Sequence, residues 1–345
     1  KALLRGFEEA FRGRPLPPLP DELVAALGAS GERSRALRIR QGDAAAVEEA
    51  LADLKREGGE LAPRLEALRS LGDVRHAPAV PEFVRWATQP GPAELRLAAL
   101  AALQPFDDAS VGKALVAAWP GLSAEIQTAA ANLLASRAAW SRDLLDAIAS
   151  VRITPSLLSP DLRDRMRKFH DAGLDRQLDS LAAPEASPAG EGEISIASLR
   201  TVLAAAPGDP YRGEPLFAER CGTCHTLFFK GGRIGPDLTA YQRDDLGTLL
   251  PAILTPSAEI REGYENVLVT TRDGRVLNGF LSDQDANLVL LRGMDGTDLA
   301  LPRADVLTVE PAGRSLMPEG LLEGWTPRQI QDFFAYLRQS QPITR

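Results

Sequence analysis

Two cysteines and a histidine stand close together in the second half of the chain. Cys221 and Cys224 are the two cysteines among 345 residues, and His225 follows the second of them directly. With this spacing both sulfurs can reach the two vinyl groups of one porphyrin, while the imidazole meets the iron from the same side. The spacing predicts one covalent haem c, attached through Cys221 and Cys224, with His225 as an axial ligand of the iron.

Two other kinds of site use closely spaced cysteines. A thioredoxin-type redox pair belongs to a βαβ segment, whereas helical sequence precedes Cys221. A zinc site requires four ligands, but His76 and His170, the remaining histidines, lie in the first half of the chain. Covalent haem is therefore the interpretation that we favour.

The second axial ligand of an electron-transferring haem is commonly a Met or a His. Met166 lies in a charged helical segment and Met294 in a predicted hairpin turn, whereas Met317 lies in an irregular loop, 314–320, downstream of the cysteines. We predict Met317 as the ligand opposite His225. The alternative is that its side chain fills a gap in the core, a common use of methionine.

Several short motifs around these residues resemble a class I cytochrome c. They are Gly213-x-x-Leu216-Phe217, Gly235-Pro236-Asp237-Leu238, Met317-Pro318 and a final helix containing Phe333 to Leu337. More narrowly, residues 234–238, 254–257 and 315–318 resemble the PVC-type haem-binding domain, which is found at the C-terminal end of large secreted proteins with HEAT repeats or dehydrogenase-like domains. The resemblance covers residues 207–341.

The resemblance implies roles for further residues. Pro236 would offer its carbonyl to the ring nitrogen of His225 that does not face the iron, which orients the imidazole and raises its basicity. Gly213 and Phe217 would meet Tyr336 where the first and last helices of the domain cross. Plain core packing predicts much the same contact between these residues.

Arg233 lies directly before the motif that contains Pro236. A guanidinium can bond a carboxylate through two parallel hydrogen bonds, so Arg233 is a candidate partner for a haem propionate. The alternative is an exposed surface arginine.

The segment 264–310, between the two expected iron ligands, differs in hydrophobic pattern from the helical sequence around it. Short runs of alternating apolar residues are separated by turn signals at Asp273-Gly274 and Asp295-Gly296, which predicts five strands. We interpret this segment as a small SH3-like or Sm-like β-barrel inserted in the haem domain. It contains no candidate nucleophile with a general base beside it and no group of metal-ligating residues. A covering or docking role is therefore expected for it.

The elements before the cysteines are helical. Ala, Leu, Arg and Glu dominate residues 1–183, and the pattern at 64–71 recurs at 96–103 and at 128–134, each 32 residues further on. The repeat predicts a HEAT-like α-solenoid with a docking role, and a non-repetitive helical bundle is the alternative. A linker with a short helix, 184–206, then leads to the c-type cytochrome domain, 207–345, so the predicted fold class is mainly α.

The last helix carries its own start signal. Thr326 is a predicted N-cap, with Pro327 at the first helical position and Gln329 two residues after it. A Thr followed by a Gln three residues later is the pattern of a capping box.

Charge and hydropathy exclude two classes of partner. The formal net charge is -8, and neither half of the chain carries the basic stripe that nucleic-acid binding needs. The longest apolar run, Leu97 to Leu103, is far shorter than the roughly 20 residues of a membrane span. We expect no nucleic-acid partner and no membrane span in this segment.

Electron transfer through a His/Met-ligated haem is the leading functional hypothesis. The resemblance implies a dehydrogenase as electron donor, which can belong to the same longer polypeptide, and a soluble electron carrier is the other kind of redox partner. This type of haem attachment takes place on the outer side of the bacterial inner membrane, so we expect a periplasmic protein or one otherwise outside the cytoplasmic membrane.

Two alternatives remain open. One is a haem-based sensor or haem enzyme in which Met317 is displaced by a small molecule. The other is a HEAT-repeat adaptor in which haem is incidental. The sequence contains no recognisable Ser/His/Asp set or paired carboxylates, so we do not expect this chain to be an enzyme by itself.

Overall fold

The computed structural model describes residues 22, 34–56, 58–181, 194–232, 234–293 and 298–344. These residues are mainly α-helical, as the sequence predicts, with a small antiparallel sheet. They form two compact units: residues 1–182 together with 270–277, and residues 183–269 together with 278–345. The predicted linker at 184–192 lies outside the described residues, and the short helix expected after it is present.

The first unit consists of short helices separated by tight connections. They are α1 (Arg35–Arg40), α2 (Ala44–Lys55), α3 (Leu61–Asp73), α4 (Val80–Thr88), α5 (Ala93–Leu103), α6 (Ala109–Ala118), α7 (Ala124–Leu134), α8 (Ala138–Ala149), α9 (Pro160–Arg167) and α10 (Ala172–Ser180).

Helix starts in this unit follow from local chemistry. The side chains of Ser34, Asp43, Asp108, Ser159 and Asp171 each accept a hydrogen bond from a backbone N–H of the helix that follows. Such caps satisfy donors that have no partner within the helix.

The helices of the first unit pack in two alternating series. Helix α3 packs on α1, α5 on α3 and α7 on α5, while α6 packs on α4, α8 on α6 and α10 on α8. One continuous core joins them, built from Ala and Leu with a few aromatic rings such as Phe83 and Trp140. Small alanines at the contacts let neighbouring helices approach closely.

Residues 270–277 complete the first unit although they belong to the inserted segment. The Val276 N–H donates to the carbonyl of Ser136 at 2.9 Å, and the buried Arg137 donates to the carbonyl of Asp273 at 2.9 Å. Arg165 donates to the carbonyl of Val276 at 3.3 Å. The hairpin tip therefore supplies acceptors for arginines that the helices bury.

The described residues of the second unit contain four α-helices and a two-stranded ribbon. The helices are α11 (Ile196–Ala205), α12 (Pro210–Arg220), α13 (Leu246–Leu254) and α14 (Pro327–Leu337), and the ribbon pairs β1 (Thr226–Leu227) with β2 (Lys230–Gly231). Helix α12 packs extensively on α14, and α11 contacts both α13 and α14. The predicted capping box of α14 is confirmed, because the side chains of Thr326 and Gln329 each bond the other residue's backbone N–H.

Five further strands form one sheet, and all five were expected from the alternating pattern. They are β3 (Asn266–Thr271), β4 (Val276–Gln284), β5 (Leu288–Arg292), β6 (Asp298–Pro302) and β7 (Val306–Pro311), in the order β6-β5-β4-β3-β7. The β4–β5 pairing is antiparallel with a register shift between Leu281 and Asp283, and β5–β6 is antiparallel throughout.

Within the described ranges, none of the helices has the length and apolar character that crossing a membrane requires.

Candidate functional site

The two cysteines and the histidine lie on one helical turn at the end of α12. The Cys221 N–H donates to the carbonyl of Phe217 at 2.8 Å, and the N–H groups of Cys224 and His225 donate to the carbonyl of Cys221 at 3.1 and 2.9 Å. Residues three and four positions apart share a face of such a turn. The structure thus brings the three predicted residues to one side of the backbone.

Three glycines pack their backbone directly against this turn. A Cβ on Gly231 would lie 2.2 Å from the carbonyl oxygen of His225, and one on Gly232 would lie 1.8 Å from that of Thr223. A Cβ on Gly235 would lie 2.5 Å from Cε1 of the His225 ring. The chain can therefore pass this close to the turn at positions 231, 232 and 235 only because these residues have no side chains.

Backbone hydrogen bonds hold the same segment in place. Gly232 N–H donates to the carbonyl of Gly222, and Gly235 N–H donates to the carbonyl of Cys224, both at 2.8 Å. The hydroxyl of Thr226 donates to the carbonyl of Gly232 at 2.7 Å. These bonds join the turn to the described residues of the segment that covers it.

The His225 imidazole is oriented by Pro236. Its Nδ1 lies 2.9 Å from the carbonyl oxygen of Pro236, which can only accept, so Nδ1 carries the proton. In the part of the chain that the structure describes, Nε2 has no hydrogen-bond partner. Burial lowers the pKa of His225, and the bond to Pro236 opposes this shift. The ring is thus neutral at pH 7, with the lone pair of Nε2 available to a metal ion.

Both cysteines are free thiols with raised pKa values. Burial raises the pKa of Cys221 to about 12, with a further contribution from Cys224 and an opposing one from Arg220. Burial also raises the pKa of Cys224. A redox-active dithiol instead needs one thiol with a lowered pKa.

Met317 lies in a loop that is tied to the end of α13. The Met317 N–H donates to the hydroxyl of Ser315 at 3.1 Å, and the Ser315 N–H donates to the hydroxyl of Ser257 at 3.2 Å. Met317 and Cys221 are both partly buried and pack against the same apolar core. The structure therefore places the predicted second ligand beside the core that also borders the cysteine turn.

The first and last helices of the second unit cross where α12 has a glycine. A Cβ on Gly213 would lie 2.0 Å from the carbonyl oxygen of Asp332, so the two backbones are in direct contact. The rings of Phe217 and Tyr336 pack at the same crossing, with centroids 5.7 Å apart. This crossing holds the end of α12, and with it the cysteine turn.

Two buried charged residues support the site, and the sequence analysis missed both. Arg243 donates to the carbonyls of Thr239 at 2.8 Å and Leu337 at 2.6 Å, which connects the turn after Pro236 to the end of α14. The Asp332 side chain is 4% exposed and accepts from the N–H of Asp209 at 2.7 Å. Arg243 stands in a charged stretch and Asp332 in an amphipathic helix, where a charged residue is expected on the solvated face, so no sequence signal marks either as buried.

The predicted site residues are only partly gathered. Cys221, Cys224, His225 and Pro236 form one continuous structure, and Met317 borders the same core. Arg233 lies outside the described residues. Among the residues that are described, no three His, Cys, Asp or Glu side chains are grouped as a metal site would require.

The donor set fits a covalently attached haem. Protonated thiols at Cys221 and Cys224, a neutral imidazole with a free Nε2 and a thioether beside the same core are the groups that such a haem uses. Partly buried leucines from three segments, Leu216, Leu238, and both Leu249 and Leu254 of α13, border that core. They supply the apolar surroundings that a porphyrin needs.

Comparison with known proteins identified no family model that matches the chain and no curated protein similar to it.

Proposed function

We propose that this chain is a c-type haem protein that transfers single electrons. The observation that carries the proposal is the hydrogen bond between Nδ1 of His225 and the carbonyl of Pro236, on the turn that also holds Cys221 and Cys224. This bond fixes the ring and its tautomer, as ligating histidines require. A histidine that served only packing would not need a protonated Nδ1 and an unpartnered Nε2.

Each group would contribute separately to holding the cofactor. Cys221 and Cys224 would anchor the porphyrin, and His225, through Nε2, and Met317 would hold the iron. When bound, the haem supplies a one-electron redox centre whose potential depends on its axial ligands and its burial. Gly235 keeps the imidazole pressed against the backbone, and the surrounding leucines exclude water. Electron transfer itself requires no proton donor or nucleophile from the chain.

We also propose that the first unit is a HEAT-like repeat scaffold for docking. Two hydrogen bonds that each join residues one repeat apart support this: Trp86 Nε1 donates to the carbonyl of Leu54 at 3.0 Å, and Trp140 Nε1 donates to that of Asp108 at 2.8 Å. Both pairs are 32 positions apart in the sequence. The inserted sheet would be a small SH3-like or Sm-like barrel with a covering or docking role. A dehydrogenase donor, a soluble acceptor and a location outside the cytoplasmic membrane belong to the same proposal.

Covalent attachment is tested by producing the chain in bacteria that carry a haem c maturation system. We expect the denatured protein to keep the mass of one haem, and the double variant C221S/C224S to lose it. Release of the haem from the wild-type chain into acidified acetone would contradict covalent attachment. A folded wild-type chain that never acquires haem would favour the adaptor hypothesis.

The role of Met317 is tested by carbon monoxide binding. We expect the reduced wild-type protein to resist carbon monoxide, and Met317→Ala to bind it and lose the sulfur-to-iron charge-transfer band. The control is Met166→Leu, a volume-conserving change in the core of the first unit. Rapid binding by the wild-type protein would instead favour the haem sensor.

A further inference from the structure

A strained two-residue turn follows the cysteine turn at a distance of only a few residues. Phe228 and Phe229 connect β1 to β2 with φ angles of 52° and 66°. A two-residue hairpin turn with both φ angles positive is normally made by Asn and Gly. Bulky side chains are strained in this backbone conformation.

The packing of its ring explains why a bulky residue, Phe228, can occupy this strained position. Its side chain is 5% exposed, its ring meets that of Tyr336 edge-on at 6.3 Å, and the guanidinium of Arg243 lies over it at 5.4 Å. Its backbone N–H donates to the hydroxyl of Thr239 at 2.9 Å. The strain at Phe228 is therefore offset by burial of the ring.

Packing does not explain Phe229. Its side chain is 92% exposed, so the strained backbone carries an aromatic ring that the fold does not use. Strained residues persist where function requires them, and aromatic residues are among the strongest anchors of protein interfaces. An exposed ring on a strained turn is thus suited to a contact with another protein.

The position of Phe229 indicates which contact this is. The ribbon that carries the ring is fixed to the cysteine turn by the hydrogen bond from the Gly232 N–H to the carbonyl of Gly222 and by the close approach of Gly231 to the carbonyl of His225. A partner that exchanges electrons with a haem attached there must dock close to that turn, because electron transfer becomes rapidly slower with distance.

Charge indicates the chemistry of the partner. Residues 185–345 contain 15 basic and 22 acidic residues, a net charge of -7. A net charge of this sign attracts basic proteins and repels acidic ones at long range. We propose that Phe229 is the apolar anchor on which a basic soluble electron carrier docks. This inference rests on the proposed electron-transfer function.

The test compares two substitutions that relieve the same strain. Val151 also has a positive φ, 59°, and is 86% exposed, but it lies in the first unit. Asn tolerates this backbone conformation, so we expect Phe229→Asn and Val151→Asn both to raise the temperature of thermal unfolding. We expect only Phe229→Asn to slow electron exchange with a basic cytochrome c, by about tenfold in stopped-flow measurements at low salt.

Three further measurements make the test specific. Phe229→Tyr, which keeps an aromatic ring, is expected to retain the wild-type rate. Reduction by a small inorganic complex is expected to be equal in all variants. For the wild type, raising the salt concentration is expected to slow exchange with the basic carrier, because screening weakens the attraction.

An unchanged rate with the basic carrier in Phe229→Asn would overturn the inference while leaving the proposed function intact. An altered haem spectrum in that variant would overturn it too, because the ring would then serve the haem pocket. A loss of self-association in the same variant would show instead that the ring binds a second copy of the chain. If the wild-type chain carried no haem, the proposed function would fail first, in the mass measurement.

Discussion

The two compact units bring their helices together by different means. In the first unit, fully buried alanines such as Ala50, Ala99 and Ala130 fill the contacts between helices. In the second unit, α12 meets α14 through Gly213, and there the backbone of Asp332 lies where a side chain would be. The first unit thus distributes its stability over many similar contacts, whereas the second depends on a few positions that admit no side chain at all.

The largest difference in stability between the units is expected when a methyl group is added at Gly213. In Gly213→Ala the new Cβ would lie 2.0 Å from a backbone oxygen, so α12 and α14 must separate. We expect a loss of about 4 kcal/mol or more of unfolding free energy, together with loss of bound haem. Thermal unfolding and haem content measure both.

The matched change in the first unit is Gly72→Ala. Its Cβ would lie 3.0 Å from Cα of Ala102, a tight contact that small shifts can relieve. We expect a loss of about 1 kcal/mol, with haem content unchanged. Equal losses in the two variants would contradict the contrast between the units.

The next largest loss of stability is expected at the buried carboxylate of Asp332, where α12 crosses α14. Asp332 accepts from the N–H of Asp209 and from the guanidinium of Arg212, at 2.7 and 2.9 Å. Burial alone would raise the pKa of Asp332, but these bonds lower it below its usual value. We expect Asp332→Asn to cost about 2.5 kcal/mol at pH 7, because the bonds from Arg212 and Arg328 lose their charged acceptor.

The pH dependence of stability checks the same residue. A carboxylate whose pKa is lower in the folded protein stabilises the fold above its unfolded pKa, near 4, and this contribution disappears as the pH falls through the folded value. Urea unfolding of the wild type from pH 7 to pH 3 should show that loss. The profile of Asp332→Asn should be flatter over the same range, and identical profiles would contradict the assignment.

A smaller effect is expected at the hairpin tip of the first unit. The carboxylate of Asp273 lies 3.0 Å from Nε of Arg275, which is almost fully buried. Asp273→Ala removes the acceptor of Nε and the one carboxylate among the described residues within hydrogen-bond distance of that guanidinium, leaving it the side-chain oxygen of Gln104 at 3.3 Å, so we expect a loss of about 2 kcal/mol in urea unfolding. Asp283→Ala, at an exposed position of β4, is the control and should be close to neutral.

The smallest effect compares one helix cap from each unit. Thr326 caps α14 through a side-chain bond from the N–H of Gln329, whereas Ser123 at the start of α7 makes no such bond. We expect Thr326→Ala to cost about 1 kcal/mol and Ser123→Ala much less. Thermal unfolding of both variants measures the difference, and similar shifts would argue that the capping box of α14 contributes little.

The features that could be predicted from the sequence are those that depend on neighbours along the chain. The capping box of α14 needs only Thr326 and Gln329, and the cysteine turn needs only residues 221–225. The structure confirms the first and brings the three residues of the second to one face. Local spacing is enough in both cases because the interacting groups lie within one turn of helix.

Features that depend on distant partners could not be predicted. The buried Arg243 donates hydrogen bonds to two carbonyls that lie 94 and 96 positions further along the chain. The hairpin tip at 270–277 belongs with the first unit because Ser136 and Arg137 bond to it, although its sequence indicates only an ordinary Asp-Gly turn. No local pattern distinguishes such residues from those on a solvated surface.

The hydrogen bond between Ser315 and Ser257 has a consequence for how this protein could change in evolution. It closes the chain on either side of the inserted sheet, and strands β3 and β7, the first and last of that sheet, are neighbours. The connections into and out of the sheet therefore begin and end close together. Since each doubling of a closed loop adds only about 0.6 kcal/mol of closure entropy, the loops of the insert other than the tip at 270–277 could lengthen or shorten with little effect on the position of Met317.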